Sequence, residues 1–292
     1  MRVGAFELKE PLPDLGEGIA FTMLSPWIDV GGVGSSTLAT LEDHFHAEEL
    51  GKLARPGLFY DFTRYRPMMY LVEDRRDVRL PNTFVKYARR QGGGLLFLHC
   101  LEPHMLGETY AESVLKVLER LGVRRHCLLG GMYDTVPHTR PLIVSGTASD
   151  QEMELRLGSL KVYPSGYQGP TTINILISEQ APGRGIETFT LVVRLPTYMQ
   201  LEVDYSGQYA LLDVLCRLFD FSLDLGEVKR KGEEQYRKVG LAVSGNPEAQ
   251  KLIKAMEGSY DARVAEIPPS TPPLSPEIER FLRDIGRRFG SS

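Results

Sequence analysis

The sequence predicts an α/β protein with a mostly parallel central sheet flanked by helices, and three consecutive segments predict it. Leu95-Leu-Phe-Leu-His-Cys100 is an almost wholly apolar run of strand length, the pattern of a central strand covered on both faces. From 107 to 121 the apolar positions Val114, Leu115, Leu118 and Leu121 follow a helical period that ends at Gly122. A second short apolar run, His126 to Leu129, comes directly after, before the pair Gly130-Gly131. Strand, helix and strand in that order give parallel neighbours joined by right-handed crossovers.

The other elements extend this frame. Ile19 to Leu24 reads as a strand, followed by Ser25-Pro-Trp-Ile-Asp29 and a glycine loop. Leu38, Leu41, Phe45 and the segment 48 to 53 carry helical spacing after that loop. The order strand, glycine loop, helix places backbone N–H groups and the positive helix end where a carboxylate or other anion can sit, with Ser35 and Ser36 as helix caps. Gly31-Gly-x-Gly34 matches neither the phosphate-loop nor the dinucleotide spacing. Between 57 and 81, Leu58-Phe-Tyr60, Met68-Met-Tyr-Leu-Val72 and Val78-Arg-Leu80 read as short strands. The last two pair across the charged tip Glu73-Asp-Arg-Arg-Asp77 as a hairpin. A hairpin standing off a core exposes edges that partner chains usually cover, which makes it a candidate oligomerisation element.

Farther along, Ile173 to Ile177 is read as a helix capped by Thr171 or Thr172, because the stronger strand at 187 to 194 needs a crossover before it. Gln208 to Phe221 is apolar on a helical period and closes a core spanning 1–222. Charged, helix-forming sequence follows through Gly258. Then come a proline-rich linker, 267–276, and an amphipathic helix, 276 to 285, that must dock on its own core as a lid or on a neighbour.

Bulk composition narrows the function. At 292 residues with 42% hydrophobic and 25% charged side chains, the chain is long enough for one large core plus an appendage. A net charge of −4, with basic clusters that are short and interleaved with acids, argues against a nucleic-acid partner. No apolar run approaches the roughly 18 residues of a membrane span, so a cytoplasmic protein is expected. Cys100, Cys127 and Cys216 are odd in number, far apart and set in apolar runs, as reduced buried thiols are. His44 and His46 lack the i, i+4 spacing of a helical metal site, and neither metal nor cofactor is expected.

The chain is organised around 130–150, a polar loop between two apolar runs. Pro137 and Pro141 stiffen an arch that carries His138, Thr139 and Arg140. The groups available for binding or proton transfer are Asp29, Glu102, His104, His138, Thr139, Arg140 and Asp150. His138 is suited to move a proton near neutral pH, Asp29 or Glu102 to orient it, and Arg140 to hold an anion. In a parallel sheet the loops after Leu24, Cys100, Gly131 and Leu195 collect at the strands' carboxyl ends. The alternative is that the arch is structural, with Arg140 paired to a carboxylate.

Val136-Pro-His-Thr-Arg-Pro141 followed by Gly146-Thr-Ala-Ser-Asp150 resembles the signature segment of the proteasome assembly chaperone family of the second type. Weaker likenesses lie at Ser25-Pro-Trp-Ile-Asp29, Tyr60-Asp-Phe62, Tyr167-Gln-Gly-Pro170 and 257 to 261. Bacterial and archaeal members often carry an ATP-grasp superfamily label, and no nucleotide motif in this chain matches it. The resemblance implies a core similar to purine nucleoside phosphorylases and related hydrolases, an inserted hairpin (58–81) used in oligomerisation, and a helical C-terminal lid (223–292) over a cleft. It implies a homo-oligomer, a trimer above others, with proteasome-like subunits as further partners. Some archaeal relatives engage proteasome rings through a tail ending hydrophobic-Tyr-any residue; Arg-Phe-Gly-Ser-Ser292 lacks that ending. Two functions follow: a non-enzymatic assembly or binding factor, or a small-molecule enzyme or binding protein with its cleft at the Pro-His-Thr-Arg loop. A pocket holding His138 and Arg140 with a strongly perturbed histidine favours the second, and fixed intramolecular partners for both favour the first.

Overall fold

A computed structural model describes residues 1–266; the linker 267–276 and the helix expected after it lie outside the described residues. The elements in chain order are β1 (Arg2–Val3), β2 (Phe6–Leu8), β3 (Gly18–Ser25), α1 (Val33–His44), β4 (Glu48–Leu53), β5 (Met68–Val72), β6 (Arg75–Arg79), β7 (Phe84–Ala88), β8 (Leu95–Leu101) and α2 (Gly107–Arg120). After them come β9 (Val123–Asp134), β10 (Val144–Gly146), α3 (Gln151–Ser159), β11 (Tyr163–Pro164), α4 (Ile173–Gln180), β12 (Glu187–Pro196), α5 (Tyr205–Phe219), α6 (Gly226–Ser244) and α7 (Pro247–Glu266). Ten strands form one mixed sheet in the order β1-β2-β4-β7-β8-β3-β9-β12-β10-β11, and β5 and β6 form a separate pair. The four central strands, β8-β3-β9-β12, are parallel, as the alternation of strands and helices predicts. Antiparallel ladders extend the sheet on either side of them.

Register sorts the side chains into two cores. One face carries Ala20, Leu24, Leu96, Leu98 and Cys100, packed with Val114, Leu118 and Ile177 from α2 and α4. The other carries Phe21, Phe97, Cys127, Leu129, Leu191 and Val193, packed with Leu38, Leu41, Leu211 and Leu215 from α1 and α5. Burial at this scale is the main stabilising term for such a fold. All three cysteines are free; Cys100 and Cys127 are buried, and Cys216 is half-buried.

Several local expectations need correction. Strand β9 does not end at the glycine pair but runs through it to Asp134. The glycines serve close approach: Gly131 N–H donates to Ile28 O at 2.7 Å, and a Cβ on Gly130 would sit 2.4 Å from that carbonyl oxygen. Residues 48–53 are strand β4 rather than helix, since α1 ends at His44 and His46 takes a left-handed φ of 52°. Leu58-Phe-Tyr60 is no strand; a 3₁₀ turn at Pro56–Leu58 delivers Phe59 and Tyr60 into the core. There Tyr60 and Tyr110 hydroxyls both bond Thr83 Oγ1, which allows two phenols to be buried without unmet polar atoms. The hairpin turn is only Glu73-Asp74, both at positive φ, the conformation favoured in two-residue hairpins. Helix α4 forms as expected, but its Thr172 cap makes no side-chain bond; Glu102 Oε1 accepts from Ile173 N–H at 2.9 Å instead.

Candidate functional site

The Pro-His-Thr-Arg arch lies beyond the carboxyl end of β9, where α6 and α7 pass over it. His138 is buried, and Tyr198, just past the end of β12, fixes its ring. The His138 N–H donates to Tyr198 Oη at 2.7 Å, and the same hydroxyl shares a second hydrogen bond with His138 Nδ1 at 2.8 Å. The other ring nitrogen, Nε2, faces Gly240 of α6. Burial lowers its pKa, partly offset by Glu257, and keeps the ring neutral at pH 7.

Thr139 Oγ1 donates to Glu257 Oε1. Arg140 forks onto Asp261 through Nε and Nη2, both at 2.9 Å, and reaches Glu257 Oε1 through Nη1 at 3.1 Å. Glu257 and Asp261 are four apart on α7, so one guanidinium grips one helix face. Around this grip Tyr260 Oη donates to Pro141 O at 2.8 Å, and Val136, Ile143 and Tyr260 form a small apolar cluster. Asp134, at the end of β9, accepts from Arg263 at 3.0 Å and Arg194 at 3.3 Å. Burial opposes ionisation of Asp134, but the Thr135 N–H and Arg263 outweigh it and its pKa falls.

This clamp gives a direct expectation. Arg140→Ala, and equally Arg140→Lys, which cannot form the fork, should raise hydrogen exchange across residues 257–263 roughly fivefold, given the modest strength of exposed ion pairs. The pH dependence follows from Asp261, whose pKa is lowered by its bonds to Arg140. A lowered acid stabilises the docked state fully above its ordinary value and loses that contribution as pH falls through the lowered one. The latch therefore holds at neutral pH and loosens in strong acid.

The other expected site residues do not join His138. Asp29 accepts from Ser35 N–H at 3.0 Å and occupies the start of α1, where Ser35 and Ser36 were expected as caps; their hydroxyls turn instead to Gly32 O and Val33 O. The anion at that helix end is thus the chain's own carboxylate, its pKa raised by burial against those hydrogen bonds. Glu102 caps α4 with Oε1 while its buried Oε2 has no partner, and burial raises its pKa. Nδ1 of His104 accepts from Asp61 N–H. Asp150 caps α3 through Met153 N–H at 2.9 Å and lies at the opposite end of the sheet, beside the start of β12. Of the candidates, only His138, Thr139 and Arg140 act together, and they act on α6 and α7.

Two contributors, Tyr198 and Asp134, are not among the residues that the sequence singles out; the signal it offers for them is their place at or just past the end of a strand. Among the described residues no group of three His, Cys, Asp or Glu side chains is placed to hold a metal. No described helix is long and apolar enough to cross a membrane.

Fold and arch together define a mixed α/β protein whose most polar loop clamps its own C-terminal helices. The chain belongs to the PAC2 family, whose model matches residues 23–241, and an ATP-grasp assignment finds no support. Its fold is similar to that of a protein of unknown function from Corynebacterium glutamicum ATCC 13032, with 20% identity, 89% of this chain and 98% of that one covered, and a TM-score of 0.78. A Mycobacterium tuberculosis protein of unknown function is 25% identical, with 91% and 94% covered and a TM-score of 0.77. A proteasome-assembly chaperone homologue from the same organism is 22% identical, with 80% and 99% covered and a TM-score of 0.71. Among curated proteins none matches this chain.

Proposed function

We propose that this chain is a non-catalytic protein-binding factor that associates with copies of itself, three in the arrangement its family resemblance favours, and handles proteasome-type subunits in the cytoplasm. The observation that carries this reading is the β5–β6 hairpin. Every residue of β5 is exposed, Leu71 by 75% and Met69 by 59%. Register puts Met69 and Leu71 on one face with Val78, while Tyr70 on the other is covered by Arg79 at 4.9 Å. Arg76 stands beside Leu71 on the first face, and Met68 and Val72 flank Tyr70 on the second, so large apolar side chains are exposed on both faces of the hairpin, as at a protein interface. Burying each such side chain contributes about 2 kcal/mol, enough in three copies to drive association.

In this reading residues 1–222 are a core with the hairpin inserted, and the helices from 223 onward are a lid held by the arch. Membership in the PAC2 family and the likeness to a chaperone homologue support the choice of partner. An enzyme of the phosphorylase or hydrolase kind, working at the arch, is the weaker reading because His138, Thr139 and Arg140 are all bonded within the chain. The test is native mass spectrometry and light scattering of the wild type beside Met69→Asp/Leu71→Asp. The wild type is expected as a closed oligomer that co-purifies with proteasome-type subunits, and the double variant as a folded monomer. A monomeric wild type, or an unchanged assembly in the variant, would overturn the proposal.

A further inference from the structure

Two of the weaker sequence likenesses, around Trp27 and around Tyr167, meet at a place the arch does not reach. They border a cavity of about 760 Å³ on the sheet face opposite α1 and α5. Its floor is formed by Leu128 and Met132 of β9 with Thr190 and Val192 of β12, reaching from the middle of the central sheet toward the carboxyl end of β9. Helices α2 and α4 cover this face nearer β8 and β3, but among the described residues the floor is overlain by the segment 165–172 and the edge of α4 at Ile175. Trp27, on the loop between β3 and α1, forms the rim and is 66% exposed. The volume falls within the range of small-molecule sites, about 300 to 1,000 Å³.

The electrostatics of the lining select a ligand class. Glu102 is the one ionisable acid or base of full charge among the lining residues, and they include no Lys, Arg or His. The guanidinium behind Ser145, that of Arg194, is already paired with Asp134. Phosphates and carboxylates therefore find no counter-charge here. Glu102 is held by one oxygen at the start of α4, which leaves Oε2 buried and unpartnered, an arrangement that costs free energy until a donor arrives. Elsewhere in the lining the hydroxyls of Thr147, Thr190 and Ser165 offer neutral contacts over a largely apolar surface.

We propose that this cavity is a binding site for a flat, largely apolar, neutral or cationic small molecule, whose N–H donor meets the Glu102 carboxylate and whose ring lies against Trp27. An indole face attracts a cationic ring, and the carboxylate supplies the hydrogen bond. The site is independent of the hairpin, so oligomerisation and ligand binding can fail separately.

Trp27 is the sole tryptophan of the chain, so its fluorescence reports on this site alone. Benzamidine, benzamide and benzoate share a ring and differ in charge, and each is titrated into the full-length protein. Benzamidine is expected to change the emission saturably, benzamide more weakly, and benzoate not at all. Glu102→Gln keeps an acceptor for the Ile173 N–H, so α4 stays capped, and should weaken benzamidine about tenfold while sparing benzamide, the usual effect of removing a charge-assisted hydrogen bond. Thr147→Arg, at an exposed rim position, should weaken benzamidine as well. Benzoate binding as tightly as benzamidine, no saturation with any probe, or Glu102→Gln leaving benzamidine unaffected while circular dichroism shows an intact fold, would each overturn the assignment.

Discussion

Gly130→Ala is expected to destabilise the protein by about 3 kcal/mol, at the upper end of overpacking effects. Gly130 has no positive φ, so the requirement is for space rather than for backbone freedom. A methyl group there would lie 2.4 Å from the carbonyl oxygen of Ile28, and a backbone atom cannot swing aside as a side chain can. To make room, the β3–α1 loop must lift from β9. That breaks the Gly131 to Ile28 hydrogen bond and disturbs Asp29, which caps α1. Gly183→Ala is the matched control, because nothing lies within 4 Å of a Cβ at that position. Thermal unfolding should show a fall of roughly 5 to 10 °C for Gly130→Ala and almost none for Gly183→Ala. Equal melting temperatures would mean that the loop yields freely.

Asp204→Ala should produce a loss of similar size by a different route. Asp204 is 1% exposed and joins the core to the first C-terminal helix. Its Oδ1 accepts from Gly207 N–H at 2.8 Å as the cap of α5, and Oδ2 accepts from Tyr236 Oη of α6 at 3.0 Å. Removal costs the cap, about 1 kcal/mol, and strands a buried phenol, a further 1 to 3 kcal/mol or so. Asp204→Asn retains an oxygen for the cap and should recover about half of the loss. Burial raises the Asp204 pKa despite the Gly207 and Tyr236 bonds, so the neutral amide should be tolerated there. Denaturant unfolding measures both variants, and hydrogen exchange across 226–244 shows whether α6 detaches. If Asp204→Ala keeps α6 protected, the anchor lies elsewhere, with Gln235 the next bond, from its Nε2 to Val203 O at 2.8 Å.

Much of the parallel centre was legible because its signals are local. Leu95 to Cys100 is apolar at every position but one, the next helix repeats at the helical period, and Gly122 ends it. Those features hold whatever the neighbours do. The errors fell where a short segment takes its state from what it pairs with. Residues 48–53 carry helix-compatible spacing, yet they become β4 because β2 and β7 offer hydrogen-bonding edges on both sides. Phe59 and Tyr60 have strand propensity, yet a turn buries them because the core needs their rings more than the sheet needs their backbone.

The sequence by itself determined the α/β class, the existence of the hairpin though not its turn, and the presence of a stiff polar arch at Pro137 to Pro141. Each depends on residue type and spacing along the chain. What the arch does was decided only by the tertiary structure, because the partners of His138 and Arg140 are Tyr198, Glu257 and Asp261, 60 to 121 residues away. No local pattern encodes such distances. The same holds for the cavity: Trp27, Glu102, Tyr167 and Thr190 come from four separate segments. Folding brings them together because the loop after β3 and the end of β8 border the sheet face that carries Thr190, and the segment after β11 crosses that face.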